Sequence, residues 1–240
     1  MERDLTSGSV FRNVIYFSLP YFLSYFLQTL YGMADLFIVG QFDGVTSTTA
    51  VSIGSQVMHM LTVMIVGLAM GATVSIGQSI GAGDKKRASV FVGNTVTLFM
   101  GISLVLAVLL LFFVKPIVSV MSTPAEAVSG TAAYLTICFL GIPFITAYNV
   151  ISSIFRGLGD SKSPMYFIAV ACAVNIILDY LFIGFFHLGA SGAALGTTLS
   201  QAFSVLFALT AIKRRQTGLS LSGDCFLPQK KTLGKILNIG

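Results

Sequence analysis

Two aspartates sit inside otherwise uncharged apolar stretches: Asp35 in VIYFSLPYFLSYFLQTLYGMADLFIVG and Asp179 in MYFIAVACAVNIILDYLFIGFF. A carboxylate in hydrocarbon costs about 2.5–3.5 kcal/mol on insertion scales. A chain keeps one where it faces a wet cavity or a bundle interior, usually to bind a cation or carry a proton. Asn175 precedes Asp179 by four residues and shares its helix face. Tyr31 and Gln28 precede Asp35 by four and seven residues and form a polar stripe with it. Thr197, in the following apolar stretch, reaches the same depth. Carboxylate, amide and hydroxyl oxygens suit a hard cation such as Na+. Two neighbouring carboxylates equally suit a shared proton. The same groups also admit a structural reading, a hydrogen-bond network that joins helices. Two carboxylates at one depth favour a shared interior site.

Composition dictates the elements that carry these residues. The chain is 55% hydrophobic and 10% charged, with a mean hydropathy of +0.88. Soluble domains carry about 25% charge, so this is expected to be an all-α polytopic membrane protein. Six stretches reach the ~18 uncharged apolar residues that cross a bilayer as a helix: 14–40, 48–80, 88–114, 128–155, 165–186 and 189–212. No ten-residue alternation predicts a lipid-facing barrel. The first stretch exceeds a signal-peptide core and lacks a small-residue cleavage site, so it is expected to stay in the chain. Asp35 then lies about five residues, or ~8 Å, from the outer end of its span, and Asp179 about seven, or ~10 Å. The three cysteines, Cys138, Cys172 and Cys225, share no metal-like spacing and read as buried small hydrophobes.

The net charge of +5 is a topology signal rather than a nucleic-acid one. Six spans place Arg3, Arg12, Lys85, Lys86, Arg87, Arg156, Lys162, Lys213, Arg214, Arg215, Lys230, Lys231 and Lys235 on one side, with Lys115 alone on the other. That asymmetry puts both ends in the cytoplasm. The inner loops GAGDKKRAS and RGLGDSKSP carry helix-breaking turn chemistry. The expected domains are an N-terminal tail at 1–13, a transmembrane lobe at 14–212 and a polar linker at 213–240. The closing KILNIG resembles the approach to the first span, NVIYFSLP, as if a second apolar segment were beginning. Internal duplication of that kind is common in transporters.

Small residues four apart (Gly67 and Gly71, Gly77 and Gly81, Gly192 and Gly196) predict close helix approach. Pro20 and Pro143 predict bends inside spans. His59 lies about eleven residues, or ~16 Å, into span two, where it could relay protons, contact substrate or bond a neighbouring helix. Met58, Met60 and Met64 offer soft surface for a promiscuous pocket, although lipid-facing filler is the simpler expectation.

In order and spacing, DLFIVGQF, GQSIGAGDKKRA, FRGLGDSKSP and NIILDYLFIG resemble the N-terminal lobe of a multidrug and toxic compound extrusion (MATE) transporter. The resemblance is to the bacterial type related to DNA-damage-inducible protein F, and it covers nearly the whole chain. It implies one six-helix lobe of a twelve-helix exporter in a bacterial inner membrane, with a C-terminal lobe as partner. By the same resemblance, Asp35, Asn175, Asp179 and a sixth-helix threonine form an N-lobe site for Na+ or H+. Spacing from Asp179 selects Thr197, with Thr198 adjacent. Gln28, Tyr31 and Asn149 fall where the family lines its pocket. The implied substrates are small, amphipathic, cationic organic molecules, and no cofactor beyond the coupling ion is implied.

No Ser/His/Asp set, phosphate loop or metal-binding run points to an enzyme. Two alternatives stand beside the exporter. A lipid-linked oligosaccharide flippase of the same superfamily would favour a cationic cavity, and the spans show no internal Lys or Arg. A non-transporting membrane fragment is the other. The orientation is testable by single-cysteine labelling in a cysteine-free background. Positions 86 and 160 should react only after the membrane is permeabilised; labelling from outside intact cells would invert the topology.

Overall fold

A computed structural model describes residues 9–214 and 222–240, and Arg3 and Arg215 lie outside them. Six long helices dominate: α1 (Val10–Phe42), α2 (Gly44–Gly81), α3 (Lys85–Val120), α4 (Val128–Gly157), α5 (Lys162–Asp179) and α6 (Gly189–Arg214). A π-helical turn, Tyr180–Phe185, extends α5, and a short α7 (Lys230–Ile239) follows a 3-10 turn at Gly223–Phe226. All six predicted spans are helices long and apolar enough to cross a bilayer. The chain is therefore an all-α, multi-pass membrane protein, and no strand occurs among the described residues.

The helices outrun the predicted spans. α3 continues through Lys115 and Pro116 to Val120, although Pro116 cannot donate to the carbonyl four residues before it. α1 likewise runs unbroken through Pro20. One local motif stops α2 and α4. Gly83 and Gly159 adopt φ of 73° and 85°, the left-handed region that L side chains avoid. The amides of Gly83 and Asp84 return to the carbonyls of Ile80 and Ser79, both at 2.9 Å. Those of Gly159 and Asp160 return to Arg156 and Phe155 at 3.0 and 2.9 Å. The aspartate that follows each glycine then starts the next helix. Asp84 Oδ1 accepts from the Arg87 amide at 2.9 Å, and Asp160 Oδ1 accepts from the Lys162 and Ser163 amides at 3.0 Å. The Gly-x-Gly-Asp loops are thus coupled stop and start signals.

α4 is the hub, packing on α2, α3 and α6. Of its most apolar stretch 67% is buried, against 17% for α1, which leaves Phe22, Phe26 and Phe37 exposed. Of the predicted glycine pairs, Gly71, Gly192 and Gly196 do face close neighbours, while Gly67 and Gly81 have open space around them.

The segment read as a linker is docked over residues 222–240. Asn94 of α3 is fully buried. Its Nδ2 donates to the Cys225 and Leu227 carbonyls at 3.0 and 3.2 Å, and its Oδ1 accepts from the Gln229 amide at 2.7 Å. Thr97 Oγ1 donates to the Phe226 carbonyl at 2.8 Å. A Cβ at Gly93 would strike Cys225, and one at Gly71 would strike the Ile236 carbonyl. α7 climbs α2 from Gln78, which accepts from Lys235 Nζ at 3.2 Å, to Leu68 beside Gly240. Asn94→Ala would leave two buried carbonyls and an amide without that partner, a loss of about 1–3 kcal/mol. Maleimide should then label the buried Cys225 much faster, with Cys138 and Cys172 unchanged; an unchanged Cys225 rate would show that the tail is held by other contacts.

Candidate functional site

α1, α5 and α6 bring four of the sequence-predicted residues to one buried place. Thr197 Oγ1 donates to Asp35 Oδ2 at 3.2 Å. Asp179 and Asn175 stand within side-chain hydrogen-bonding reach of Asp35. Both are fully buried, and Asp35 and Thr197 expose 4% and 8% of their surface. α6 approaches α5 closely because Gly196 has no side chain: a Cβ there would strike Asp179 Oδ1 and touch Asn175 Nδ2. The π-helical turn begins one residue beyond Asp179, where the Phe186 amide reaches back five residues to the Leu181 carbonyl at 3.0 Å. The helix thus widens in the turn that directly follows the carboxylate.

Hydrogen bonding inside the protein does not complete this cluster. Asp35 Oδ1, both Asp179 oxygens and both polar atoms of Asn175 lack a well-aligned partner. Two adjacent buried carboxylates need a positive charge or a proton between them. Their oxygens, with the amide and hydroxyl, form a hard donor set. Among the described residues no three of His, Cys, Asp or Glu converge as a metal cluster.

Asp35 and Thr197 are also the wall of a wide cavity of about 860 Å³. Gln28, Tyr31 and Asn149 also line it. Asn175 and Asp179 lie behind that wall rather than on it. Asp35 therefore faces the cavity on one side and the second carboxylate on the other.

A protein-family model, MatE, matches residues 20–181. The chain belongs to the MATE family. This MATE chain is 31% identical over 238 residues to the "Probable multidrug resistance protein YpnP" of Bacillus subtilis, covering 99% of this chain and 53% of the relative. It is 28% identical over 233 residues to the "Multidrug export protein MepA" of Staphylococcus haemolyticus, covering 97% and 52%. It matches a MATE crystal structure in the bent conformation with a TM-score of 0.90 at 27% identity, over 97% of this chain and 52% of that one. It also matches a MOP-superfamily transporter of Pyrococcus furiosus, whose binding pocket is described as having reverse polarity that suggests a different function. The TM-score there is 0.88 at 28% identity, over 97% and 51%. The chain spans about half the length of the curated relatives it matches.

Several features of this MATE lobe depart from the sequence reading. Thr197 and Thr198 separate cleanly: Thr197 meets Asp35, whereas Thr198 packs against α4, where a Cβ at Gly141 would strike it. Met58, Met60 and Met64, expected to face lipid, line the cavity together with His59. Gln201 was missed. It lies one turn beyond Thr197, is buried on the same face, and its Oε1 has no partner; the four-residue spacing carried that signal. Arg156, read as a loop cation, is half-buried in the last turn of α4. It donates to Ser153 Oγ at 3.1 Å and lies 5.2 Å from the Tyr21 ring centre. Its recess shares Tyr25, Gln28, Tyr148 and Asn149 with the large cavity.

The glycine contacts generate a paired expectation. Gly196→Ala forces a methyl group against Asp179 and should destabilise the purified chain by about 1–3 kcal/mol. Gly67→Ala, with nothing near its Cβ, should be neutral or stabilising by up to ~1 kcal/mol through helix propensity. Thermal melting in detergent compares them, and equal shifts would contradict the tight α5–α6 approach.

Proposed function

We propose that this chain is the N-terminal lobe of a secondary-active multidrug exporter, in which inward movement of Na+ or H+ drives organic molecules outward. One observation carries the reading: two buried carboxylates from different helices meet behind the wall of a wide cavity in a MATE family member. Asp35, Asn175, Asp179 and Thr197 take the coupling cation. Gln28, Tyr31 and Asn149, with Met58, Met60 and Met64, contact the substrate. A cavity with a carboxylate in its wall and flexible thioethers around it suits amphipathic organic cations of varied shape.

Coupling requires different affinities in two conformations, since a ligand bound equally to both shifts nothing. Asp35 is placed to supply that difference. Neutralised by the coupling cation and drawn toward Asp179, it offers an organic cation no charge attraction; released, it does. The weakly packed α1, with Pro20 on the same helix, is the element able to rearrange. The second lobe completes the cleft, residues 222–240 lead toward it, and both ends of the chain face the cytoplasm of a bacterial inner membrane.

A second reading has one observation in its favour. Arg156 puts a cation in a recess joined to the cavity, and the Pyrococcus furiosus neighbour is described as having a pocket of reverse polarity. An anionic, lipid-linked substrate would use Arg156 rather than Asp35.

In a full-length transporter, Asp35→Asn and Asp179→Asn should each abolish coupled efflux while membrane insertion survives. The double variant should be no worse than either single one, as for groups that share a site. Efflux per inserted molecule is the measurement, and normal values for both single variants would remove the carboxylates from the mechanism. An Arg156→Gln variant that alone abolished transport would favour the second reading. Expressed alone, the 240-residue chain should insert without conferring drug resistance.

A further inference from the structure

Docking of the tail builds a second polar cavity, remote from the carboxylates, on the basic side of the bundle. It is a groove of about 400 Å³ between the start of α3 and α7. Four cations line it: Lys86 and Arg87 from α3, and Lys231 and Lys235 from α7. The one carboxylate present, Asp84, is engaged in capping α3 through the Arg87 amide. None of the four cations is ion-paired among the described residues. The buried Phe91 ring forms the floor, with the Arg87 guanidinium 5.8 Å and the Lys235 ammonium 5.7 Å from its centre. Gln229 and Thr232 add an amide and a hydroxyl at the rim.

A sidedness signal alone needs positive charge anywhere on one face. Here two pairs of cations more than 140 residues apart in sequence converge on one pocket. Tail docking sets their like charges side by side, and an anion between them offsets that repulsion. The chemistry called for is a phosphate-type anion.

The surroundings select its source. The groove lies at the N-terminal end of α3, where the charged first turn gives way to an apolar helix. One to two helical turns further along α3, the docked tail exposes Leu227 at 61% and Phe226 at 38%. α7 exposes Leu237 and Ile239 beside the groove. Basic side chains beneath exposed apolar ones match a molecule with an anionic head and acyl tails. We propose that this groove binds the headgroup of an anionic phospholipid, which clips α7 and the tail to α3. The inference goes beyond the transport reading and stands independently of the Asp35–Asp179 site.

The purified chain, in neutral detergent, is offered phosphatidylglycerol, phosphatidylcholine or inorganic phosphate, and bound ligand is counted by native mass spectrometry. Each cation near an anionic headgroup contributes about fivefold to binding, so phosphatidylglycerol should be retained at least ~10-fold over phosphatidylcholine. Lys86→Gln, Arg87→Gln, Lys231→Gln and Lys235→Gln combined should bring that ratio to about one. A charge-matched control, Lys85→Gln, Lys162→Gln, Lys213→Gln and Lys230→Gln, removes as much charge away from the groove lining and should keep the preference. Phosphatidylglycerol should also slow Cys225 labelling in the native chain and not in the groove variant. If the fourfold variant does not fold, Lys86→Gln with Lys231→Gln should lose most of the preference on its own. Equal retention of the two lipids, or equal loss in both fourfold variants, would overturn the proposal. Inorganic phosphate displacing phosphatidylglycerol at equal concentration would do the same, by making the site one for a free anion.

Discussion

The arrangement of this lobe depends on one electrostatic constraint: two carboxylates placed side by side out of water must be neutralised. Each helix of the site contributes to satisfying it. α5 supplies Asp179 and Asn175 on one face, α6 supplies a hydroxyl and a glycine that lets the backbones close, and α1 supplies the second carboxylate. Helix packing holds the cluster together, while its own hydrogen bonding stays incomplete. A purely structural network would be expected to close its donors and acceptors on one another. Here five polar atoms remain without a well-aligned partner.

The same constraint relates the site to the cavity. Asp35 belongs to both, Asp179 to one alone. A charge change on the inner pair therefore has a direct path to the cavity surface through a single side chain, with no long-range relay. The recess beside the cavity holds a cation, Arg156, 5.2 Å from the Tyr21 ring centre. Asp35 and Arg156 thus sit on separate linings that share Tyr25, Gln28, Tyr148 and Asn149.

Much of this was legible in the sequence because membrane physics is strict. Uncharged runs must be helices, intramembrane carboxylates must face inward, and a four-residue spacing from Asp179 finds Asn175. Thr197 emerged from its depth, its spacing from Asp179 and the family resemblance, but its separation from Thr198 needed the rotation of α6 against Gly141. Apart from Gln201, whose four-residue spacing from Thr197 is local, the missed features rest on contacts between distant segments. Asn94 looks like any polar residue near a helix end, and nothing local shows that its partners lie more than 130 residues later. Arg156 reads as a loop cation until α4 is seen to run past it. Met58, Met60 and Met64 have no intrinsic preference between lipid and cavity, so only helix rotation assigned them. Gly67 and Gly81 show the converse, a packing motif with nothing packed on it.

The central claim is that Asp35 and Asp179 form one site rather than two neighbours. Infrared difference spectra of the purified, membrane-embedded chain, recorded between acidic and alkaline buffer, read it most directly through the carbonyl stretch of protonated carboxyl groups. A shared site predicts one band that responds to pH as a unit, disappears or shifts in both Asp35→Asn and Asp179→Asn, and is unaffected by Asp43→Asn. Two independent bands, each lost only with its own residue and titrating unchanged in the other variant, would contradict it.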